Sequence, residues 1–319
     1  MPDDLQLYAR DQLLGSLARV SNKKYPKLKY TRYFPVVPMP QYAWKNSFEV
    51  VEFDPIGIAT VMADQANDGG LVAVVGRRTR YPVKGLSDYT RISYTMLKQS
   101  QAEGLPIEAK YASALVYGME KKHNSIAYDG DTDYGLQGIF TSQVPRMNAA
   151  TTLAAAATPR AQLDIINSAV ATVVSNCRGI WQPTILALPS RQFNLLASNI
   201  YTDATGKTVL ASFKETQTEL GQISEIIMDD QLIGKGENGT DAALILPGLG
   251  TYDPDLVDSP TGDDDTGTEH PMYYGLPLEF TIPEEFLQWD DQVYVERAIS
   301  RTTGLIVEDP LTGLILSGI

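Results

Sequence analysis

The sequence predicts an α+β fold, in which strands and helices occupy separate blocks instead of alternating regularly. Three observations carry that expectation. Between Ser47 and Met96 the runs SFEVVEF, GIATVM, LVAVVGRRTRYPV and YTRISYTM are rich in β-branched and aromatic residues. From Pro106 onward, Ile107, Tyr111, Ala114, Leu115, Gly118 and Met119 recur at helical spacing. Three further strand-like runs, LPLEFTIP, QVYVERAI and GLIVEDP, close the chain. Its 319 residues suffice for one large domain or two smaller ones.

Taken in order, residues 3–20 read as an amphipathic helix, with Leu5, Tyr8, Leu13, Leu14 and Leu17 mostly on one side. The basic stretch NKKYPKLKYTRYFPVVPMP then carries Pro26, Pro35, Pro38 and Pro40. It predicts an extended arm, because residues before proline favour β or polyproline geometry. In the strand-rich block, Asn67-Asp68-Gly69-Gly70 is a hairpin-tip signal. Arg77, Arg78, Arg80 and Lys84 follow it with little acid nearby in sequence. A two-stranded ribbon of this kind is marginal alone and needs a surface to lie against.

The helix over 106–127 starts at Pro106, whose missing N–H costs nothing in the first turn, and ends in the turn YDGDTDYGLQGI. An alanine-rich connection precedes a second helix at 159–178, with Leu163, Ile166, Val170 and Val173 as its stripe and Gly179 as a C-cap. PTILALP reads as a short buried strand, SRQFNLLAS as a helix capped by Ser190, and VLASFKETQ as another helix. EIIMDDQLIG and DAALILPG look like strands paired around GKGENGT. Residues 247–272 are rich in Pro, Gly and acid and predict a loop. EEFLQWDD and Arg301-Thr302-Thr303-Gly304 read as turns between the closing strands.

Composition narrows the function classes. At 43% hydrophobic and 20% charged, the chain is ordinary for a folded protein, and no apolar run is long enough to span a membrane. The first residues lack a secretion-signal pattern, and a single cysteine, Cys177, excludes an internal disulfide framework. The net charge of −13 is unevenly spread: residues 201–319 hold 5 Lys+Arg against 23 Asp+Glu, while residues 1–200 are net basic. Such asymmetry suits a protein whose surfaces meet unlike partners, and the acidic total argues against a dedicated nucleic-acid reader.

Tests for chemistry fail one by one. Asp129, Asp131 and Asp133 occupy the first three ligand positions of a calcium loop, but Tyr134 and Phe140 stand where glycine and glutamate are required. Two histidines and one cysteine cannot build a zinc site. Gly206-Lys207-Thr208 ends like a phosphate loop, yet Tyr201 replaces the upstream glycine. His123 sits among helix charges and reads as a solvated surface residue, and His270 has no nucleophile elbow to serve. No catalytic, cofactor or metal site is therefore expected.

The order of elements resembles the tailed-bacteriophage major capsid protein family with the Johnson (Hong Kong 97-like) fold. The residues behind the resemblance are the basic arm, the hairpin, the helix ending in GDTDYGLQGI, the run PTILALPSRQFNLL, and the closing VYVERAISRTTGLIVEDPLTGLILSGI. It implies an N-terminal arm at 1–45, an extended loop with flanking strands at 46–95, and a peripheral domain at 96–150 plus 273–319 with spine helix 106–127. An axial domain would occupy 151–272. It further implies a structural protein that self-assembles into hexamers and pentamers around double-stranded DNA, with scaffolding, portal and decoration proteins as partners. Such a protein would sit in the virion after assembly in the host bacterial cytoplasm.

On this reading Arg77, Arg78, Arg80 and Lys84 would contact an acidic neighbour, and Lys23, Lys24, Lys27 and Lys29 would face DNA at the inner wall. Some family members cross-link lysine to asparagine. Residues 240–319 contain neither, so no cross-link is expected. The alternatives are an encapsulin-like nanocompartment shell and, in another class, a metal-dependent hydrolase or calcium-binding surface protein built on the Asp129–Asp133 turn.

Overall fold

The computed structural model describes residues 28–56, 73–103, 107–178, 180–202, 206–247, 270–281, 288–290 and 293–319. Helices and strands fall in the blocks that the α+β expectation requires, with departures at particular elements.

The arm is the first departure. Tyr30–Tyr33 (α1) makes one helical turn before Val36–Pro38 (β1) pairs in parallel with Met272–Leu276 (β11). Pro35 stops the turn at once, which is why proline spacing alone suggested extended chain throughout. Tyr33 and Phe34 are buried in a core shared with Ile126, Tyr128, Leu244 and Tyr274. The described part of the arm is thus a piece of its own subunit's core. The expected helix at 3–20, and Lys23, Lys24 and Lys27, lie outside the described residues.

Ser47–Ile56 (β2) and Ala73–Pro82 (β3) form the expected antiparallel ribbon, in unbroken register from Ser47 opposite Pro82 to Ile56 opposite Ala73. At its base Phe48 and Tyr81 stack at 5.8 Å and pack against Met39, Val83, Tyr273 and Ile306. One face of the base is thereby fixed to the body. The tip signal at 67–70 lies outside the described residues.

Lys84–Ser93 (β4) pairs along its whole length with Val293–Thr302 (β14). Tyr94, Thr95 and Met96 then belong to a helix, Tyr94–Glu103 (α2), where a strand was expected. The Ser93 hydroxyl accepts the Met96 N–H at 3.2 Å, an N-cap that switches the chain from strand to helix.

The long helix, Ile107–Asp129 (α3), has 23 residues and so spans about 35 Å. Leu115, Met119, His123, Asn124 and Ile126 are buried, the face that meets the β4–β14 sheet and the core. Ala114, placed on the apolar stripe by spacing, is exposed. After α3 the chain folds back so closely that Gly130, at φ 71°, and Gly138 touch. A Cβ on Gly138 would lie 2.3 Å from the Gly130 nitrogen.

The middle of the chain builds a five-stranded sheet flanked by helices. Its order is Arg146–Asn148 (β5), Leu314–Ser317 (β16), Ala242–Leu246 (β10), Ile185–Leu188 (β6) and Glu225–Met228 (β9). The expected pairing of the 225–234 and 241–248 runs does not occur. The fully buried strand β6 inserts between them, parallel to β9 and antiparallel to β10, and satisfies one backbone edge of each.

Pro159–Asn176 (α4) buries Leu163, Ile166, Val170 and Val173 as its spacing predicts. Ser190–Ser198 (α5) is not capped by Ser190. The Asp230 carboxylate accepts the Ser190 N–H at 3.0 Å from 40 residues further on. Ile200–Thr202 (β7), Lys207–Thr208 (β8) and Val209–Glu219 (α6) complete this region.

At the C-terminal end, Leu278–Thr281 (β12) and Gln288–Asp290 (β13) pair with β14, so part of the expected turn EEFLQWDD is strand. Arg301 and Thr302 likewise continue β14, and only Gly304, at φ 75°, turns the chain into Gly304–Val307 (β15).

Candidate functional site

Arg77, Arg78, Arg80 and Lys84 do not lie on one face. On β3 the register sets Arg80 opposite Glu49, Arg78 opposite Val51 and Arg77 opposite Glu52. For Arg80 the register thus brings an exposed acid, Glu49, which is distant in sequence, onto the facing strand. Arg80 also donates from Nε to the Ser47 hydroxyl at 2.9 Å. Arg78 and Arg80 share the exposed face of the ribbon. Arg77 points the other way, beside Tyr81, Gln137, Val307 and Glu308. Lys84 stands apart at the start of β4, with its ammonium 6.0 Å above the Tyr134 ring.

Of the arm lysines, Lys29 is the described one, and its ammonium is occupied within the subunit. It donates to the Met228 carbonyl and lies 3.7 Å from the Asp229 carboxylate. Around Asp229 the structure gathers what sequence reading missed. This carboxylate is buried, and its Oδ2 accepts the Tyr33 hydroxyl at 2.9 Å and the Tyr128 hydroxyl as well. Oδ1 accepts the Gln231 N–H at 3.2 Å. Burial, reinforced by the neighbouring carboxylate, pushes the Tyr33 phenol well above its ordinary range. Burial does the same to Tyr128. Both phenols are therefore held as donors.

Beside them Asn124 Oδ1 accepts the N–H groups of Lys29 and Tyr30 at 3.3 Å each, capping α1, while its amide donates to Gln231 at 2.8 Å. An exposed ion pair joins Arg32 to Glu225. Arm, spine helix and the segment after β9 are thus tied at one point. The sequence signal was faint, since Asp229-Asp230 falls inside EIIMDDQLIG, a run that reads as strand.

The aspartate turn spends its charge on lysines. Asp129 pairs with Lys235, Asp131 pairs with Lys122 at 3.1 Å, and Asp133 is exposed. Among the described residues no cluster of three His, Cys, Asp or Glu side chains converges as a metal would require, and no helix is long and apolar enough to cross a membrane.

His123 is a correction. It is only 5% exposed, not a surface residue, because the charged helix positions around it face away while it turns inward. Tyr274 OH lies 2.9 Å from Nδ1 and Ser300 Oγ 3.1 Å from Nε2. Ser300 donates to the Leu278 carbonyl at 2.9 Å, which assigns the imidazole proton to Nε2. Burial lowers its pKa to about 4. Among the described residues no carboxylate bonds to it, and the serine's proton is already given to a carbonyl, so this pair is a neutral strut and not a nucleophile with its base.

A sequence profile described as "Major capsid protein" matches residues 57–247. No curated protein sequence matches the chain. Among solved structures, the capsid of Myoviridae phage XM1 superposes with a TM-score of 0.73 at 15% identity, covering 95% of each chain. Mycobacterium phage Ogopogo gives 0.60 at 13% identity, covering 93% of this chain and 94% of that one. The virus-like particle from Pyrococcus furiosus gives 0.52 at 14% identity, covering 97% of each. These likenesses extend the shared fold across nearly the whole chain.

Proposed function

The chain belongs to the major capsid protein family, and from that premise we propose that its copies assemble as hexamers and pentamers into an icosahedral phage head around double-stranded DNA. The observation that carries the reading is the complete order of arm, ribbon, spine helix, helix-flanked sheet and closing strands, superposed on 95% of a phage capsid chain. A buried, neutral His123 and aspartates spent on lysines support a structural role over an enzymatic one.

Within that reading, 1–45 is the arm, 46–95 the extended loop, 96–150 with 273–319 the peripheral domain, and 151–272 the axial domain. The five-stranded sheet draws β5 and β16 from the peripheral segments and β6, β9 and β10 from the axial one, so the two domains would share a hydrogen-bonded seam. Arg78 and Arg80, exposed on one ribbon face, with Arg77 and Lys84 nearer the body, would contact an acidic neighbour. Lys23, Lys24 and Lys27 would meet DNA by charge alone at the inner wall. The Lys29 ammonium, already engaged, would add little. Assembly in the bacterial cytoplasm, with scaffolding, portal and decoration proteins, completes the proposal.

Particle size is the direct test. Purified native protein should run in the megadalton range, with DNA-filled heads by electron microscopy and an intact, uncross-linked monomer band on a denaturing gel. Small shells loaded with protein would favour the encapsulin-like alternative; this chain superposes less closely on the virus-like particle from Pyrococcus furiosus than on the XM1 capsid. Replacing Arg77, Arg78, Arg80 and Lys84 with Glu should block assembly of a folded monomer. Normal particles from that variant would remove the ribbon from the interface.

A further inference from the structure

The sheet formed by β4 and β14 has two unlike faces. Gly118 of the spine helix sits over Asp88, whose carboxylate oxygen lies 3.0 Å from where a Cβ would be. His123 of the same helix meets Ser300. Asp88 and Ser300 therefore mark the face that α3 covers. The alternate residues Ser87, Tyr89 and Arg91, with Ile299, Arg297 and Val295 opposite them, make up the other face.

On that second face Tyr89 is 57% exposed, Arg91 lies over its ring at 5.5 Å, and the exposed Arg297 stands directly across from it. Neither Arg91 nor Arg297 enters an ion pair among the described residues. Arg301, further along, donates to the Ala43 carbonyl.

We infer that this face docks an acidic surface of a second copy of the chain, with Tyr89 as the anchor between two guanidiniums. The inference rests on the shell reading. Tyrosine and arginine are the side chains that most often carry binding energy at protein interfaces, since each offers a large contact area with a polar end. Charge complementarity names the occupant: residues 201–319 of every copy hold 23 acids against 5 bases. Duplex DNA fits less well. Two uncommitted guanidiniums on a chain of net charge −13 fall far short of the roughly 6–10 phosphate contacts that hold a protein on a duplex.

Sedimentation velocity of the full-length protein across a concentration series tests this, comparing wild type with Tyr89→Ala and with Arg91→Glu/Arg297→Glu. Circular dichroism checks the monomer fold, and titration with a short DNA duplex runs in parallel. Each variant should raise the concentration needed for assembly by about tenfold or more, and added salt should raise it for wild type. If the charge-reversal variant does not fold, Arg91→Gln/Arg297→Gln takes its place with the same expectation. Assembly of the arginine variant at the wild-type concentration overturns the inference while the shell reading stands. A wild type that stays monomeric throughout overturns both. Unchanged assembly with lost duplex binding also overturns it, in favour of a nucleic-acid face.

Discussion

Asp229→Ala should destabilise the unassembled subunit by about 3–6 kcal/mol. Two buried phenols donate to one carboxylate oxygen, Tyr33 from the arm and Tyr128 from the end of the spine helix. A hydrogen bond to a charged group contributes about 1.5–3 kcal/mol, and truncation leaves both buried hydroxyls without an acceptor. The Lys29 ammonium at 3.7 Å is 28% exposed and adds little to this, because solvent screens it. The loss is a large share of the roughly 5–15 kcal/mol that holds a typical domain folded.

Urea unfolding at pH 7 measures it, beside Tyr33→Phe and Tyr128→Phe. Each phenylalanine variant removes one donor and leaves the other bond in place, so each should cost only about 1–2 kcal/mol. The double variant should depart from additivity by at least about 0.5 kcal/mol, because both donors share one oxygen. A stability for Asp229→Ala within about 1 kcal/mol of wild type would refute the reasoning. So would simple additivity of the two tyrosine changes.

Other outcomes follow from single sites. The His123 pKa is lowered from 6.5 to about 4, so the folded state binds a proton less readily than the unfolded chain. Stability present at pH 7 should then fall as pH drops through 6.5 toward 4, by about 3 kcal/mol in all, and urea titrations in which His123→Gln shows a flatter pH dependence check it. Gly138→Ala places a Cβ against the Gly130 nitrogen and the Ile126 carbonyl, both backbone, and should cost about 3 kcal/mol or more, read as a lowered thermal midpoint. Cys177 is buried, donates to the Leu311 carbonyl at 3.2 Å and has its pKa raised by burial to about 11. A thiol reagent at pH 8 should leave it untouched until denaturant is added. Asp230→Ala uncaps α5 and should cost about 1 kcal/mol, with loss of helical circular dichroism.

What was legible in the sequence is what periodicity encodes. The ribbon, the spine helix, the stripe of α4 and the short apolar β6 all follow from spacing, because each buries one face or both. What was not legible depends on partners distant in the chain. The strand after Met272 and the turn at Tyr30 are settled by pairing with each other's neighbourhoods, 274 opposite 36. The 225–228 and 242–246 strands looked adjacent because the loop between them is short. Only the insertion of Ile185–Leu188 separates them. The site suffered in the same way: no local rule distinguishes the buried Asp229 from the capping Asp230, although one gathers two phenols and the other an amide 40 residues earlier. His123 was misplaced because its flanking lysines dominate the local pattern while the helix turns it inward.

The charge asymmetry takes on a different meaning once these ties are counted. A net basic 1–200 beside an acidic 201–319 suggests two surfaces that attract between copies. Part of that attraction is already satisfied inside one subunit. Lys29 lies beside Asp229, Arg32 pairs with Glu225, and Lys235 in turn reaches back to Asp129. Four of the five ion pairs among the described residues use lysine. The exposed cations outside these pairs include Arg78 on the ribbon and Arg91 and Arg297 on the outer sheet, along with lysines such as Lys45, Lys110, Lys121 and Lys214. A guanidinium keeps its charge when desolvated and can grip a carboxylate with two parallel bonds, which a lysine ammonium cannot. Among the described residues the ion pairs thus draw mainly on the point-like lysine ammonium, while Arg78, Arg91 and Arg297 keep their planar guanidiniums unpaired on exposed faces.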